Sequence, residues 1–202
     1  MPLPRPVGPS REGIVDFLAE IVERRGAEEY IGEPVSISQH MLQCAELAGD
    51  SGASDETVAA ALLHDIGHFI SEFPANAAAD GVDNLHEEAG ARALERFFPP
   101  LVVDCVRHHV AAKRYLCAAD AGYLARLSDA STLSLKLQGG PMSAREVAEF
   151  ERRPHLDAIV QIRLWDDMGK DPARKVPGFA HFRPALERAV ATRPGAEPRK
   201  VP

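Results

Sequence analysis

Apolar side chains recur at helical spacing along most of the chain. Ile14, Phe17, Leu18, Ile21 and Val22 fall on one face of a stretch opened by Ser10 and closed near Arg25, which predicts a helix with a single buried stripe. The same pattern, preceded by a capping residue, predicts helices from Ser36 or Ser38 through Ala48, from Ser54-Asp55 into His64, and from Asp83-Asn84 to about Phe97. Pro99-Pro100 opens another, carrying Val102, Val103, Val106 and His109, because proline fits a first helical turn. Further helices are expected near 119–137, 143–151, 155–168 and 179–191. No segment sustains period-two alternation, so the fold class is all-α. Ala27 to Pro34 and Ser71 to Gly81 break the pattern and read as loops placed to cover a site.

At 202 residues the chain fits one domain over 1–202, with Pro-rich tails at about 1–9 and 193–202. A net charge of -7 argues against a nucleic-acid groove, yet leaves room for a local cationic pocket that takes a small anion. No run of about 18 apolar residues exists, so no membrane span is expected, and the first residues lack a secretory pattern. Cys44, Cys105 and Cys117 are odd in number and widely spaced, which fits buried thiols in a reducing, cytoplasmic setting. Both a monomer and a homodimer remain open.

The chemistry concentrates in Leu62-Leu63-His64-Asp65-Ile66-Gly67-His68. An imidazole and a carboxylate side by side can ligate one metal, and a bridging Asp can serve two. In order, the candidate ligands are His40, His64, Asp65, His86, His109 and Asp166. His40, His64, Asp65 and Asp166 make a mononuclear site, and adding His86 and His109 with Asp65 as the bridge makes a dinuclear one. Mixed nitrogen and oxygen donors suit first-row metals such as iron and manganese. Each lies in or beside an expected helix, so a bundle can aim all six at one point. His155 and His181 read as surface residues, and His108 points about 100° away from its neighbour His109.

His40…His64-Asp65…Asp166 resembles the HD-domain superfamily of all-α, metal-dependent phosphohydrolases, and the added His86 and His109 resemble its dinuclear members. Five further stretches resemble the phosphonate-cleaving HD oxygenases, relatives of myo-inositol oxygenase: Tyr30-Ile31-Gly32-Glu33, His109 to Tyr115, Leu127 to Ser131, Gln138 to Met142, and Arg163-Leu164-Trp165-Asp166. The likeness spans roughly residues 10 to 190. It implies an HD-domain helical bundle holding two irons in a mixed-valent Fe2+/Fe3+ pair, with dioxygen as co-substrate. The implied reaction oxidises a 1-hydroxyphosphonate, breaks its C–P bond and releases a carboxylate and phosphate.

A phosphonate is a compact dianion and needs cations and donors. Lys113, one turn after His109, supplies a point charge. Arg163, three residues before Asp166, offers a planar fork. Ser131 and Gln138 are neutral donors, and His68 lies one turn beyond His64. The resemblance implies that Tyr30 and Glu33 occupy a vacant metal position and withdraw when substrate enters; Glu33 can alternatively face a substrate ammonium. It further suggests 1-hydroxy-2-aminoethylphosphonate or its N-trimethyl form, giving glycine or glycine betaine. A quaternary ammonium needs aromatic or carboxylate surroundings, which Phe73, Asp80 and Asp83 can provide. The competing expectation is a phosphohydrolase acting on a nucleotide or other phosphate monoester through the same His-Asp core, without dioxygen.

Overall fold

A computed structural model describes residues 9–28, 30, 32–71 and 83–192. The Pro-rich tails other than Pro9, and the expected pocket residues Phe73 and Asp80, lie outside the described residues. Within them the chain forms nine α-helices and no strand: α1 Ile14–Arg25, α2 Ile37–Asp50, α3 Asp55–Leu63, α4 His86–Leu94, α5 Pro100–Ala119, α6 Asp129–Leu137, α7 Ala144–Phe150, α8 Leu156–Met168 and α9 Phe179–Thr192. The all-α fold expected from the periodicity is the one observed.

The bundle is organised around α3. Val58 through Leu63 are all buried, so this helix is apolar on every side and needs neighbours all round. Helices α2, α5, α8 and α9 supply them. Ala59, Ala60 and Ala61 are fully buried, and their small side chains let those helices come close. Whatever follows Leu63 therefore emerges in the interior. His64 closes α3, Asp65 leaves it at φ -100 and ψ 8, and a 3-10 turn, Ile66–Phe69, reverses the chain. Gly67 is required in that turn, because a Cβ there would sit 1.7 Å from the His86 carbonyl oxygen. This close approach sets the start of α4 directly against the His-Asp turn.

Hydroxyl caps define many of the ends. Ser36, Ser54, Ser128 and Ser143 each accept a backbone N–H in the first turn of their helix, an interaction contributing about 1 kcal/mol apiece. Ser10 does not cap α1; its hydroxyl accepts from Gly13 N–H in a preceding turn, and the helix starts at Ile14. Phe17 departs from the expected inward stripe and is 41% exposed. The buried arc takes in Val15 and Ala19 instead, and Phe17 lies about 130° from its centre at about 100° per residue. The single helix expected near 119–137 is broken. Asp120 accepts from Gly122 N–H at 2.8 Å in a turn that stops α5, and Ser128 then starts α6 afresh. Neither Asp83 nor Asn84 caps α4, whose N-cap is Leu85. That helix also stops short of Phe97, whose amide closes a tighter turn onto the Leu94 carbonyl.

Candidate metal centre

Six side chains from five segments meet in the interior. α2 brings His40, the end of α3 brings His64 and Asp65, α4 opens with His86, the middle of α5 brings His109, and α8 brings Asp166. All six are buried, the most exposed being His86 at 7%. The two oxygens of Asp65 face different histidine pairs. Oδ2 lies 3.5 Å from His40 Nε2 and 3.6 Å from His64 Nε2. Oδ1 lies 3.3 Å from His86 Nε2 and 3.4 Å from His109 Nε2. Asp166 joins the first pair, with Oδ1 3.4 Å from His40 Nε2 and Oδ2 3.9 Å from His64 Nε2.

The outer nitrogens decide what the inner ones can do. His40 Nδ1 donates to the Gly169 carbonyl at 2.9 Å, His64 Nδ1 to Ala61 at 2.8 Å and His109 Nδ1 to Val106 at 2.8 Å. His86 Nδ1 donates to Asn84 Oδ1 at 2.8 Å. With hydrogen on Nδ1, each neutral ring turns a bare Nε2 lone pair inward. His40 and His64 Nε2 are 3.0 Å apart, and His86 and His109 Nε2 are 3.1 Å apart. Two lone pairs that close repel unless a cation lies between them and the facing carboxylate. Asp65 Oδ1, Asp65 Oδ2 and Asp166 Oδ1 are buried with no hydrogen-bond partner, an arrangement that costs several kcal/mol per group unless a charge compensates. Outer-sphere acceptors such as the Gly169, Ala61 and Val106 carbonyls and Asn84 Oδ1 are what orient metal-binding imidazoles. The residues fit a metal site.

Electrostatics agrees with that fit. Burial holds His40 down at about 4 and lowers His109, keeping both rings neutral. His86 differs: burial lowers it, but the adjacent Asp65 outweighs burial and raises it. Burial would raise Asp166, but Arg163 and then Lys170 hold it well below the usual carboxylate range. Cys44 sits beside His40, and burial pushes its thiol well up, so it stays protonated and donates to the Trp165 carbonyl at 3.4 Å.

Residues 37–160 match the HD domain family. The chain belongs to that family. Along 187 residues it is 53% identical to the 1-hydroxy-2-(trimethylamino)ethylphosphonate dioxygenase (glycine-betaine-forming) of Leisingera caerulea, covering 93% of this chain and 95% of that protein. It is 41% identical over 174 residues to a hydroxymethylphosphonate dioxygenase of Gimesia maris, covering 86% of each. A third relative, an uncharacterised protein of Acanthamoeba polyphaga mimivirus, is 31% identical over 171 residues, 84% of this chain and 78% of its own length.

Beside this HD-domain centre lies a cavity of about 100 Å³ whose lining includes Tyr30, Glu33, His68, Lys113, Ser131, Gln138 and Arg163. Tyr30 stacks on His40 with ring centroids 4.7 Å apart and meets His68 edge-on at 5.8 Å. Burial, then Asp65 and Asp166, raises its phenol. Lys113 is 3% exposed, forms no ion pair among the described residues, and donates to Ser134 Oγ at 2.7 Å. Burial first, then Arg163, lowers Lys113 to about 7. Gln138 Oε1 is buried without a partner. The Arg163 fork is engaged within the protein: it meets Asp166 Oδ2 at 2.5 Å, Asp167, and Tyr123 Oη at 3.1 Å. Holding Asp166 Oδ2 in this way leaves Oδ1 turned to His40. Asp83 also borders the cavity, whereas His108 faces Arg153 and His155 pairs with Asp104.

Sequence reasoning missed Lys170 and Asn84. Lys170 Nζ reaches Glu33 Oε1 at 2.8 Å, Ser131 Oγ at 3.1 Å and Asp166 Oδ1 at 3.8 Å. Its position four residues after Asp166 was an available signal. Asn84 looked like a helix cap, and nothing in its spacing tied it to His86.

Proposed function

We propose that this HD domain is a dioxygen-dependent enzyme that cleaves the C–P bond of 1-hydroxy-2-(trimethylammonio)ethylphosphonate, giving glycine betaine and phosphate. The observation that carries the reading is Asp65, whose two unpartnered oxygens each face a separate pair of bare imidazole nitrogens. A donor set divided in two suits two metals better than one. The identity over nearly the whole length of the Leisingera caerulea dioxygenase supports the substrate. The balance closes: hydroxyphosphonate plus dioxygen gives carboxylate, hydrogen phosphate and one proton, with both atoms of dioxygen retained.

His40, His64 and Asp166 would hold one ion, His86 and His109 the other, with Asp65 bridging. Bound as an Fe2+/Fe3+ pair, the metals would supply the redox chemistry with dioxygen. The protein's own groups select and orient the dianion. Among the described residues Lys113 is a buried cation left free of carboxylates, so a phosphonate becomes its counter-ion and draws a proton onto it. Ser131 donates a hydroxyl, and Gln138 donates from its amide NH2. Arg163 acts chiefly through Asp166, which it holds in a ligating orientation, while adding positive charge at the cavity wall. Tyr30 covers the ligand His40 and moves aside for substrate together with Glu33. His68 and Asp83 border the space left for the rest of the molecule.

The test is phosphate and glycine betaine release by iron-loaded protein under air, with and without dioxygen removal. Release that depends on dioxygen and on iron is expected. Phosphate release from ordinary phosphate monoesters, unchanged by removing dioxygen, would overturn the oxygenase reading in favour of a hydrolase.

A further inference from the structure

We propose that Asn84 is a positioning residue that sets opposite tautomers on His86 and His68, leaving His86 a metal ligand like His40, His64 and His109 and making His68 a hydrogen-bond donor. The backbone amide of His86 can only donate, and it meets Asn84 Oδ1 at 3.3 Å. That fixes which end of the Asn84 amide is oxygen, an assignment otherwise left to inference. The same oxygen lies 2.8 Å from His86 Nδ1, so Nδ1 carries the hydrogen and Nε2 is bare. The amide nitrogen is thereby directed to the other side, where it lies 3.2 Å from His68 Nδ1. An amide NH2 has only hydrogens to give, so His68 Nδ1 accepts. In the neutral ring the remaining hydrogen is then on Nε2. His68 thus carries the opposite tautomer to His40, His64, His86 and His109.

The consequence follows from geometry. His68 Nε2 stands 3.9 Å from Asp65 Oδ1, and its ring stacks on His86 with centroids 4.1 Å apart. By proximity alone it is a candidate ligand. With hydrogen on Nε2 it has no lone pair for a metal and presents an N–H to an oxygen atom entering the cavity. The local backbone is built for this pairing. Leu85, between Asn84 and His86, is held at φ 47 and ψ 37 with its side chain 48% exposed, a conformation that L residues seldom adopt. It lets both flanking side chains turn inward.

This inference rests on the metal-centre reading, and its readout is independent of iron chemistry. In zinc-loaded protein with 15N-labelled histidine, NMR is expected to show His68 protonated on Nε2 and the other four on Nδ1. Asn84→Asp replaces the donor with an acceptor on both sides. It should keep two metals per chain, move the His68 hydrogen to Nδ1, and lower kcat of the iron enzyme at least about tenfold, with KM changed far less. Asn84→Ala, which only removes the restraint, should give mixed His68 tautomers. Wild-type His68 protonated on Nδ1 would overturn the proposal whatever the enzyme's activity. So would an Asn84→Asp enzyme with the tautomer switched and wild-type kcat. Failure of dioxygen-dependent cleavage, with the NMR pattern as expected, would count against the reaction and leave the assignment of Asn84 standing.

Discussion

The two halves of the centre are held in different ways. Around Asp65 Oδ2, His40 and His64 are wholly buried and anchored to the Gly169 and Ala61 carbonyls, and Arg163 pins Asp166. A Cβ at Gly169 would meet Cys44 Sγ at 2.6 Å, so the bond that orients His40 also marks where α8 meets α2. This half is part of the core. Around Asp65 Oδ1, His109 is anchored to a carbonyl of its own helix, but His86 depends on the side chain of Asn84, and both rings line the cavity. The contrast is one of degree: the first half is anchored in the core and reaches the cavity through Asp166, while both histidines of the second line it.

The most severe way to break that arrangement is to remove what the halves share. Asp65→Ala takes away the one carboxylate that faces both pairs. Metal content measured by mass spectrometry should fall from two per chain to near none, with dioxygen consumption lost altogether. Splitting the halves comes next. His86→Ala and His109→Ala should abolish dioxygen consumption while the other pair keeps its metal and the protein stays folded. Wild-type turnover in either variant would refute the dinuclear scheme. His40→Ala should be equally inactive and less stable even without metal, because it leaves the Gly169 carbonyl buried and unbonded, at a cost of about 1–3 kcal/mol. Thermal unfolding of the metal-free variants checks this, and a larger loss for His86→Ala would reverse the contrast.

The cavity side carries a pH signature. Lys113, lowered by burial and then by Arg163 to about 7, loses its charge as pH rises through that value. kcat/KM for the phosphonate should therefore fall above about pH 7, and Lys113→Met should lower it about 10- to 100-fold below that pH and flatten the dependence. Stability moves the other way. The unfolded chain keeps the lysine protonated up to its ordinary 10.5, so it binds more protons than the folded chain from about 7 upward, and folding strengthens with pH across that window. The difference between wild type and Lys113→Met isolates this group from others titrating nearby.

The two halves were unequally legible in the sequence. Eight histidines and thirteen aspartates are too many for residue type alone; their order and its likeness to HD domains singled out the six candidates. The helix from Ser54-Asp55 into His64 was expected, but its central place, buried on every side from Val58 to Leu63, came only with the structure. What escaped depends on partners distant in the chain or on local conformation. Asn84 has the composition of a cap, and only the left-handed Leu85 turns it toward His86 and His68. Lys170 follows the end of α8 and reaches Glu33 through a loop return that periodicity does not encode. Phe17 shows a limit of counting apolar positions, since alanine at position 19 takes the inward place and the larger ring does not. The break at Asp120 to Gly122 was written in turn-forming residues but hidden between two helical runs.

The smallest expected effect falls on Tyr30, which touches both halves by stacking on His40 and meeting the edge of His68. Tyr30→Phe keeps both ring contacts and removes only the hydroxyl, whose ionisation is suppressed first by burial and then by Asp65 and Asp166. If that hydroxyl guards a metal position in the resting enzyme, substrate displaces it and the saturated enzyme never uses it. Turnover with saturating phosphonate should then stay within about threefold of wild type. Dioxygen uptake without phosphonate should rise, because nothing occupies the guarded position. An oxygen electrode reads both quantities on one sample. Unchanged background uptake together with a large loss of turnover would assign the hydroxyl to the reaction itself, and the covering role would pass to the ring alone.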